Sequence, residues 1–257
     1  MEYGLIGEKL GHSYSKQIHE SLADYTYEIH PVAKEEFDSF MRKKEFQAIN
    51  VTIPYKQDVL PYLDELDKSA EAIGAVNTIV NRGGRLYGYN TDYIGFIYTL
   101  KKFQIEVANK KVLVLGNGGA SKAVLAALRD LNAGTVLIVK YKVETGTITY
   151  EEAATSHSDA PIIINTSPVG MYPNTGISPI DLTPYHSLEA AVDLIYNPLE
   201  TKFLADAKRK GALTANGLPM LVAQAKYASE FFTDVSIKDD VIDPLCKKIE
   251  DMMNKNS

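Results

Sequence analysis

The segment Lys111-Val112-Leu113-Val114-Leu115-Gly116-Asn117-Gly118-Gly119-Ala120-Ser121 decides the fold of the second half of this chain. It opens with a continuous apolar run, which is typical of a parallel strand covered on both faces. The glycine-rich turn then leads into a helical run at 122–131. In this order the glycines let a pyrophosphate approach the backbone, and the helix N-terminus supplies free N–H groups. We therefore predict a dinucleotide site formed by Gly116, Asn117, Gly118, Gly119, Ala120 and Ser121.

The residues after the next predicted strand, 135–139, bear on the choice of dinucleotide. An NAD site carries an acidic residue about 20 positions after the glycine turn, where it binds the ribose 2′-hydroxyl. This chain has Lys140-Tyr141-Lys142 at that place. Because cations suit a 2′-phosphate, we predict that Lys140 and Lys142 bind NADP. The alternative is that both lysines are ordinary solvated residues.

The whole chain alternates short β-type runs with helical stretches, which predicts an α/β architecture with largely parallel sheets. In the first hundred residues, the turn sequence at 81–85 and the run at 86–89 predict a hairpin, which requires an antiparallel pair and so a mixed sheet. From Gly217 onward the pattern is helical. We predict two α/β domains at 1–100 and 101–225, the second Rossmann-like and doubly wound, followed by helices at 226–257.

Composition limits the kinds of partner. The 257 residues carry a formal net charge of -6, and no basic cluster suggests binding to nucleic acid or to a membrane surface. The single cysteine, Cys246, excludes an internal disulfide and a thiolate metal cluster, so we expect no metal. The N-terminal residues resemble no secretory leader, and no run is long enough for a membrane helix. We expect a cytoplasmic protein that binds a small molecule.

Polar residues cluster where strands of the first domain end or turn. If those ends converge, they line a cleft suited to a small polyhydroxylated carboxylate. Lys56 and Asp92 are the acid–base pair of the set, able to exchange a proton with a hydroxyl or carbonyl oxygen while hydride moves. Helix caps and turn residues are the alternative for the other members, and we interpret His12 as structural. The set comprises Ser13, Ser15, Thr52, Lys56, Asn77, Asn90 and Asp92.

Eight segments occur in the order known from one family. They are GHSYS at 11–15, NVTIPYK at 50–56, IGAVNT at 73–78, GYNTD at 88–92, GNGGAS at 116–121, NTSPVGM at 165–171, DLIYNPLET at 193–201 and NGLPMLVAQA at 216–225. On these segments, nearly the whole chain resembles the bacterial shikimate dehydrogenases.

The resemblance implies reversible, NADPH-dependent reduction of 3-dehydroshikimate to shikimate, on the route to chorismate and aromatic amino acids. It implies that Ser13 and Ser15 bind the substrate carboxylate, and that the catalytic pair is Lys56 and Asp92. The C-terminal helices are implied to return to the first domain, which would be the substrate domain. Further substrate contacts are implied for Thr52, Asn77, Tyr196 and Gln224, and positions beside the nicotinamide for Leu194 and Gly217.

The chain departs from the family pattern in two places. Lys16 and His19-Glu20 stand where the family usually has Pro and His-Asn. After the second strand of the nucleotide domain the family commonly continues with Asn-Arg-Thr and a full helix, whereas the β-rich, glycine-broken segment 140–148 predicts a shortened helix here. A quinate/shikimate dehydrogenase that uses NAD and a non-catalytic paralogue that binds a nucleotide or metabolite are the alternatives. Monomer and homodimer are both compatible with the sequence.

Overall fold

The computed structural model describes residues 1–11, 13–142 and 144–256. The chain divides into two compact units. The first comprises Met1–Gly95 and Leu221–Ser257, and the second comprises Phe96–Met220. The chain passes from one unit to the other within a helix on both occasions, at Thr91–Lys102 and at Leu218–Thr233. The α/β fold class predicted from the sequence is confirmed, while the binding role of each unit stays a prediction.

The first unit contains a six-stranded mixed sheet in the order β2-β1-β3-β5-β6-β4. Strand β1 pairs in parallel with β2 and β3, whereas β3 with β5 and β5 with β6 are antiparallel pairs. The hairpin predicted around 81–85 is the β5–β6 pair. The strands are β1 (Tyr3–Gly7), β2 (Tyr27–Pro31), β3 (Ala48–Val51), β4 (Glu65–Leu66), β5 (Thr78–Arg82) and β6 (Arg85–Tyr89).

Helices cover the first sheet, and the C-terminal ones belong to this unit. Ala228 and Phe232 of α8 pack with Tyr27 and Ala48 in one buried apolar cluster of the sheet, and Lys248 of α9 donates to Ser21 Oγ of α1 at 3.0 Å. The predicted return of the C-terminal helices is confirmed. The helices are α1 (Ser15–Leu22), α2 (Lys34–Lys43), α3 (Lys68–Ile73), α4 (Thr91–Lys102), α8 (Leu218–Thr233) and α9 (Ile242–Asn256), with 3-10 turns at Leu60–Tyr62 and Asp239–Val241.

The second unit contains a six-stranded parallel sheet in the order β12-β11-β10-β7-β8-β9. The chain starts in the middle with β7, moves outward to β8 and β9, and then builds the other half, which is the doubly wound arrangement. Strands β7, β10 and β11 are buried at every position, as expected for a sheet covered on both faces. The strands are β7 (Val112–Leu115), β8 (Val136–Val139), β9 (Thr147–Ile148), β10 (Ile162–Asn165), β11 (Ala190–Asp193) and β12 (Leu213–Ala215).

The connection from β8 to β9 departs from the doubly wound pattern. Parallel neighbours usually need a crossover of a dozen or more residues, most often a helix. Here β8 ends at Val139 and β9 begins at Thr147, and the described residues between them contain no helix. The helix that the sequence predicts as shortened is therefore absent from the described part of this connection. The other helices of the unit are α5 (Gly119–Asp130), α6 (Tyr150–Ser156) and α7 (Lys202–Arg209).

Candidate active site

A buried ion pair lies at the strand ends of the first unit. Lys56 Nζ donates to Asp92 Oδ2 at 2.5 Å, and the two side chains are only 14% and 11% exposed. The Lys56 carbonyl accepts from Val76 N at 2.8 Å, which fixes the backbone of the lysine. Asp92 lies in the first turn of α4, where the helix dipole favours a carboxylate. The pair is thus held from two directions and largely shielded from water.

The register of the first sheet explains why these residues lie at one edge. Gly7 and Val51 end the parallel strands β1 and β3. Strand β5 runs the opposite way, so its first residue, Thr78, lies at the same edge and pairs with Tyr89 at the end of β6. The segments that follow β1, β3 and β6 therefore start at this edge, and the segment that precedes β5 ends there. These segments carry Ser13, Ser15, Thr52, Lys56, Asn77 and Asp92.

Asn77 is oriented by Thr91. The Thr91 backbone N–H donates to Asn77 Oδ1 at 2.7 Å, and Asn77 Nδ2 donates to Thr91 Oγ1 at 3.0 Å. A backbone N–H can only donate, so its partner must be the amide oxygen, and the orientation of the amide is settled. Among the described residues, this leaves Asn77 one side-chain N–H to offer to a ligand. Thr91 Oγ1 also lies 3.5 Å from Gln224 Oε1, which places Gln224 beside Asn77.

Ser13, Ser15 and Thr52 occupy the two neighbouring strand ends. Ser13 Oγ donates to Ser15 Oγ at 3.0 Å and accepts from the Ser15 backbone N–H at 3.2 Å. Neither serine is the N-cap of α1, which is Tyr14 and makes no side-chain cap hydrogen bond. The two serine hydroxyls stay close enough to share one anion. Thr52 packs against Gly7, where a Cβ would lie 2.7 Å from Thr52 Cγ2. His12 lies outside the described residues.

A chain of buried hydrogen bonds that runs through Asn50 and Thr78 holds Asn77 in place. Asn50 is 5% exposed, and its Oδ1 accepts from Tyr27 OH at 2.7 Å. Its Nδ2 donates to the Asn77 carbonyl at 3.2 Å and to Thr78 Oγ1 at 3.0 Å. Thr78 Oγ1 in turn donates to Asn77 Oδ1 at 3.1 Å. Asn50 lies in the NVTIPYK segment but is not among the residues predicted for the site.

We expect replacement of Asn50 by leucine to destabilise the protein by about 3 kcal/mol, or about 10 °C in Tm, because Tyr27 OH and Thr78 Oγ1 lose buried partners. Thermal melts followed by circular dichroism measure the effect. The double variant Tyr27→Phe/Asn50→Leu should lose less than the sum of the two single variants, since one buried pair of polar groups is then removed together. Strict additivity would contradict the network.

A second buried polar cluster links α1 to α8 within the first unit. His19 Nδ1 lies 2.7 Å from Tyr25 OH and 3.2 Å from Ser229 Oγ, and these two hydroxyls are 2.7 Å apart. The His19 ring stacks on Tyr27 at 4.0 Å and on Phe232 at 5.6 Å. Burial lowers the pKa of His19 to about 3, against a smaller opposing contribution from the Asn50 side chain. His19 is therefore neutral in the folded protein near pH 7.

The glycine turn of the second unit has room for a phosphate. Gly116 has φ +97°, and a Cβ there would lie 3.2 Å from Thr166 Oγ1, so the fold itself requires this glycine. Gly118 has an ordinary φ of -88° and is the N-cap of α5, and a Cβ there would meet nothing within 4 Å. The protein's own atoms do not require glycine at 118. This open position beside the α5 N-terminus fits the pyrophosphate of a dinucleotide.

The rest of the turn follows the predicted pattern. Ser121 is buried, and its Oγ donates to the Gly118 carbonyl at 2.6 Å. The small residue therefore ties the turn to the first turn of α5. Asn117, Gly119 and Ala120 complete the turn and the start of the helix.

The remaining residues predicted to bind cofactor lie after β8, β11 and β12. Lys140 Nζ forms an ion pair with Glu144 Oε1 at 2.5 Å, and Lys142 is exposed. A Cβ at Gly217 would lie 2.0 Å from the Leu194 carbonyl oxygen, so only glycine permits this approach of two backbones. Tyr196, predicted to contact substrate, is half-buried in this second unit.

Asp193, which the sequence analysis did not select, organises the loop after β11. Its carboxylate accepts from Asn165 Nδ2 at 3.0 Å, from Ile195 N at 3.1 Å and from Thr201 Oγ1 at 2.7 Å. Burial raises the pKa of Asp193 to about 6, although all three hydrogen bonds oppose the shift. The DLIYNPLET segment contains both Asp193 and Thr201, so part of that motif serves to hold the loop that carries Leu194 and Tyr196.

The described ranges contain neither a candidate metal-ligand cluster nor a membrane-spanning helix. No group of three or more His, Cys, Asp or Glu side chains there could hold a metal ion. No helix in that part of the chain combines the length and apolar character needed to cross a bilayer.

The first unit has a mixed sheet and a shielded lysine–carboxylate pair, and the second unit is doubly wound and has an open glycine turn. Together these features define a dinucleotide-dependent oxidoreductase. Residues 5–79 match the family model described as shikimate dehydrogenase substrate binding domain. The shikimate dehydrogenase (NADP(+)) of Carboxydothermus hydrogenoformans is 43% identical over 258 residues, covering 91% of each chain. The chain belongs to the shikimate dehydrogenase family.

Solved structures agree with this assignment. A chorismate mutase/shikimate 5-dehydrogenase fusion protein from Clostridium acetobutylicum superimposes with a TM-score of 0.91 at 40% identity, covering 98% of both chains. The shikimate 5-dehydrogenase of Thermus thermophilus, solved in complex with NADP(H) and shikimate, has a TM-score of 0.86 at 31% identity and covers 96% of this chain and 99% of that one.

Proposed function

We propose that this chain catalyses the reversible NADPH-dependent reduction of 3-dehydroshikimate to shikimate, in the biosynthesis of chorismate and aromatic amino acids. The observation that carries the proposal is the shielded Lys56–Asp92 pair beside the oriented amide of Asn77. A protein that only binds a metabolite has no need of a proton-transfer pair held in this way.

The substrate is held by the strand ends of the first unit. Ser13 and Ser15, whose hydroxyls are 3.0 Å apart, bind the carboxylate. Asn77 donates its remaining side-chain N–H to a ring hydroxyl, and Asp92 accepts a hydrogen bond from a hydroxyl through the oxygen that Lys56 does not occupy. Substrate contacts are further assigned to Thr52, Gln224 and Tyr196.

Lys56 and Asp92 manage the proton of the reaction. In the direction of reduction the Lys56 ammonium donates a proton to the oxygen of the former carbonyl, and in the direction of oxidation the amine accepts it. Asp92 holds the Lys56 side chain in place through the 2.5 Å hydrogen bond. When bound, the nicotinamide supplies or accepts the hydride at the carbon that bears this oxygen.

The second unit holds NADP. The open position at Gly118 and the N-terminus of α5 take the pyrophosphate, together with Gly116, Asn117, Gly119, Ala120 and Ser121. Lys140 and Lys142 lie after β8, where the ribose is bound in doubly wound folds, and supply the positive charge for a 2′-phosphate. Leu194 and Gly217 are assigned to positions beside the nicotinamide.

A single assay tests the proposal. The purified chain is mixed with shikimate and NADP, and the absorbance of the reduced nicotinamide is followed. A shikimate-dependent rise supports the proposal, and its absence at high enzyme concentration contradicts it in favour of a binding paralogue. Repeating the assay with quinate and with NAD separates the quinate/shikimate dehydrogenase alternative, because that enzyme would show comparable kcat/KM for both substrates with NAD.

We expect Gly118→Ala to weaken NADP binding about tenfold or more, because the added methyl group occupies space that the pyrophosphate needs. Stability should fall by at most about 1 kcal/mol, the difference between glycine and alanine at an N-cap. Calorimetric titration with NADP measures the affinity, and a thermal melt measures the stability. Gly116→Ala is the contrasting variant, since its φ of +97° predicts a clear loss of stability. Unchanged affinity in Gly118→Ala would count against the assigned site.

We further propose that the protein is cytoplasmic and acts as a monomer or homodimer. Size-exclusion chromatography with light scattering determines the oligomeric state.

A further inference from the structure

The residues that follow β8 occupy the place where a doubly wound fold distinguishes NADP from NAD. An acidic side chain there favours the 2′-hydroxyl of NAD, and a cation favours the 2′-phosphate of NADP. This chain has both charges at that place, because Lys140 directly follows β8 and its Nζ lies 2.5 Å from Glu144 Oε1.

The local backbone holds both members of this ion pair. The Lys140 backbone N–H donates to the Ile148 carbonyl at 2.9 Å, which ties it to β9. Glu144 lies in a tight turn in which its N–H donates to Thr147 Oγ1 at 2.8 Å and its carbonyl accepts from Thr147 N at 3.0 Å. The turn passes through Gly146, with φ +81°. Glu144 is thus kept near Lys140 by a folded turn.

We propose that Glu144 is a specificity-determining residue that competes with the 2′-phosphate of NADP for Lys140 and so lowers the preference of this chain for NADP over NAD. The inference rests on the proposed function, because it assumes that the second unit binds a nicotinamide dinucleotide. It concerns the segment 140–148, in which the sequence departs from the pattern that the family resemblance implies.

The competition follows from charge. A phosphate monoester carries a charge between -1 and -2 near pH 7, so Lys140 cannot serve it fully while it neutralises the Glu144 carboxylate. Lys142 is exposed and supplies a second cation at the same place. When the phosphate binds, the Lys140–Glu144 pair must open, and the displaced carboxylate still repels the phosphate. NAD lacks the phosphate and leaves the ion pair undisturbed.

Removing the carboxylate should therefore strengthen binding of the 2′-phosphate alone. Opening a partly exposed ion pair and relieving the remaining repulsion together correspond to about a tenfold change in affinity. The side chains of Lys140 and Glu144 are 23% and 58% exposed, so the change should shrink at about 0.5 M salt. Glu144→Gln keeps the turn, because the turn uses only backbone atoms of residue 144.

The test compares two adenosine probes on the full chain by calorimetric titration. Adenosine 2′,5′-bisphosphate carries the 2′-phosphate and 5′-AMP lacks it. Glu144→Gln should bind the bisphosphate about tenfold tighter than the unaltered chain and 5′-AMP within about twofold. Glu189→Gln is the matched control, because Glu189 also pairs with a lysine at 2.5 Å but lies at the amino end of β11, away from the glycine turn. It should change neither affinity.

A further variant tests whether Lys140 mediates the effect. In a Lys140→Met background the gain from Glu144→Gln should fall below about threefold, because the cation for which the two anions compete is missing. Equal bisphosphate affinity of the unaltered chain and Glu144→Gln would overturn the inference, as would an equal gain for both probes. If neither protein binds either probe, the proposed cofactor site itself is wrong and the inference falls with it.

Discussion

Replacing Lys56 with methionine should lower kcat by about 10³-fold while the affinity for shikimate stays within about tenfold. Methionine keeps the length of the side chain and removes the group that exchanges the proton, so the loss falls on the transition state. The measurement is steady-state kinetics in the direction of shikimate oxidation, with shikimate affinity determined separately by calorimetric titration.

Two further variants help to interpret this result. Lys247→Met removes an ion-paired lysine that is exposed on α9 of the same unit, and it should leave kcat unchanged. Asp92→Asn keeps Lys56 but removes its 2.5 Å partner, and it should also lower kcat. If Lys56→Met turned over shikimate at a near-normal rate, Lys56 would not be the proton-transfer group, and the mechanism proposed for the pair would fail.

Acid should destabilise the protein through His19, and this is the largest effect of pH on stability that we expect. The His19 pKa is about 3 in the folded protein because the ring is buried, whereas an unfolded histidine has a pKa of about 6.5. The lowered value means that the contribution of neutral His19 is fully present above pH 6.5 and is lost as the pH falls toward 3. At pH 4.5 the loss amounts to about 3 kcal/mol.

His19→Phe isolates this contribution. Phenylalanine keeps an aromatic ring against Tyr27 and Phe232 but cannot take up a proton, and Tyr25 and Ser229 still hydrogen-bond to each other at 2.7 Å. The free energy of unfolding of this variant, measured by urea denaturation with circular dichroism, should fall less steeply between pH 6.5 and 4.5 than that of the unaltered chain.

Asp193 makes the stability of the protein depend on pH in the opposite direction. This contribution cancels when His19→Phe is compared with the unaltered chain. Its raised pKa of about 6 means that its contribution to stability is lost as the pH rises through 6. It is present in both the unaltered chain and His19→Phe and cancels in the difference between them. His186→Gln, at an exposed position, serves as the control. Identical pH slopes for His19→Phe and the unaltered chain would rule out His19 as the source.

The long, periodic elements of the fold can be predicted from the sequence, and the shortest ones cannot. Continuous apolar runs such as 112–115 and the glycine turn identify the doubly wound half, and the hairpin signal at 81–85 identifies the mixed sheet. Strands of two residues, such as β4 and β9, and helices of six or seven residues, such as α3 and α6, show too little periodicity to stand out.

The residues of the candidate site also divide into those that can be predicted from the sequence and those that cannot. Lys56, Asp92 and Asn77 can be predicted from the sequence because each is a polar residue near the end of a predicted strand. Parallel strands and hairpins bring particular strand ends to the same edge of a sheet, so these residues are expected to lie together. The supporting residues cannot be found in this way. Asn50 and Asp193 act through partners up to 28 positions away, and only the register of the strands decides which distant polar groups meet. Their place within family segments is the one signal in the sequence.

The lack of a helix among the described residues between β8 and β9 has a consequence for protein engineering. A helix at this point would pack against the sheet, so that changing its first residues would disturb the core as well as the ligand. Here Glu144 lies in a surface turn held by hydrogen bonds between its backbone and Thr147. Coenzyme preference should therefore be adjustable by substitutions at Lys140, Lys142 and Glu144 with little penalty to folding, and this family member offers a convenient scaffold for redesigning that preference.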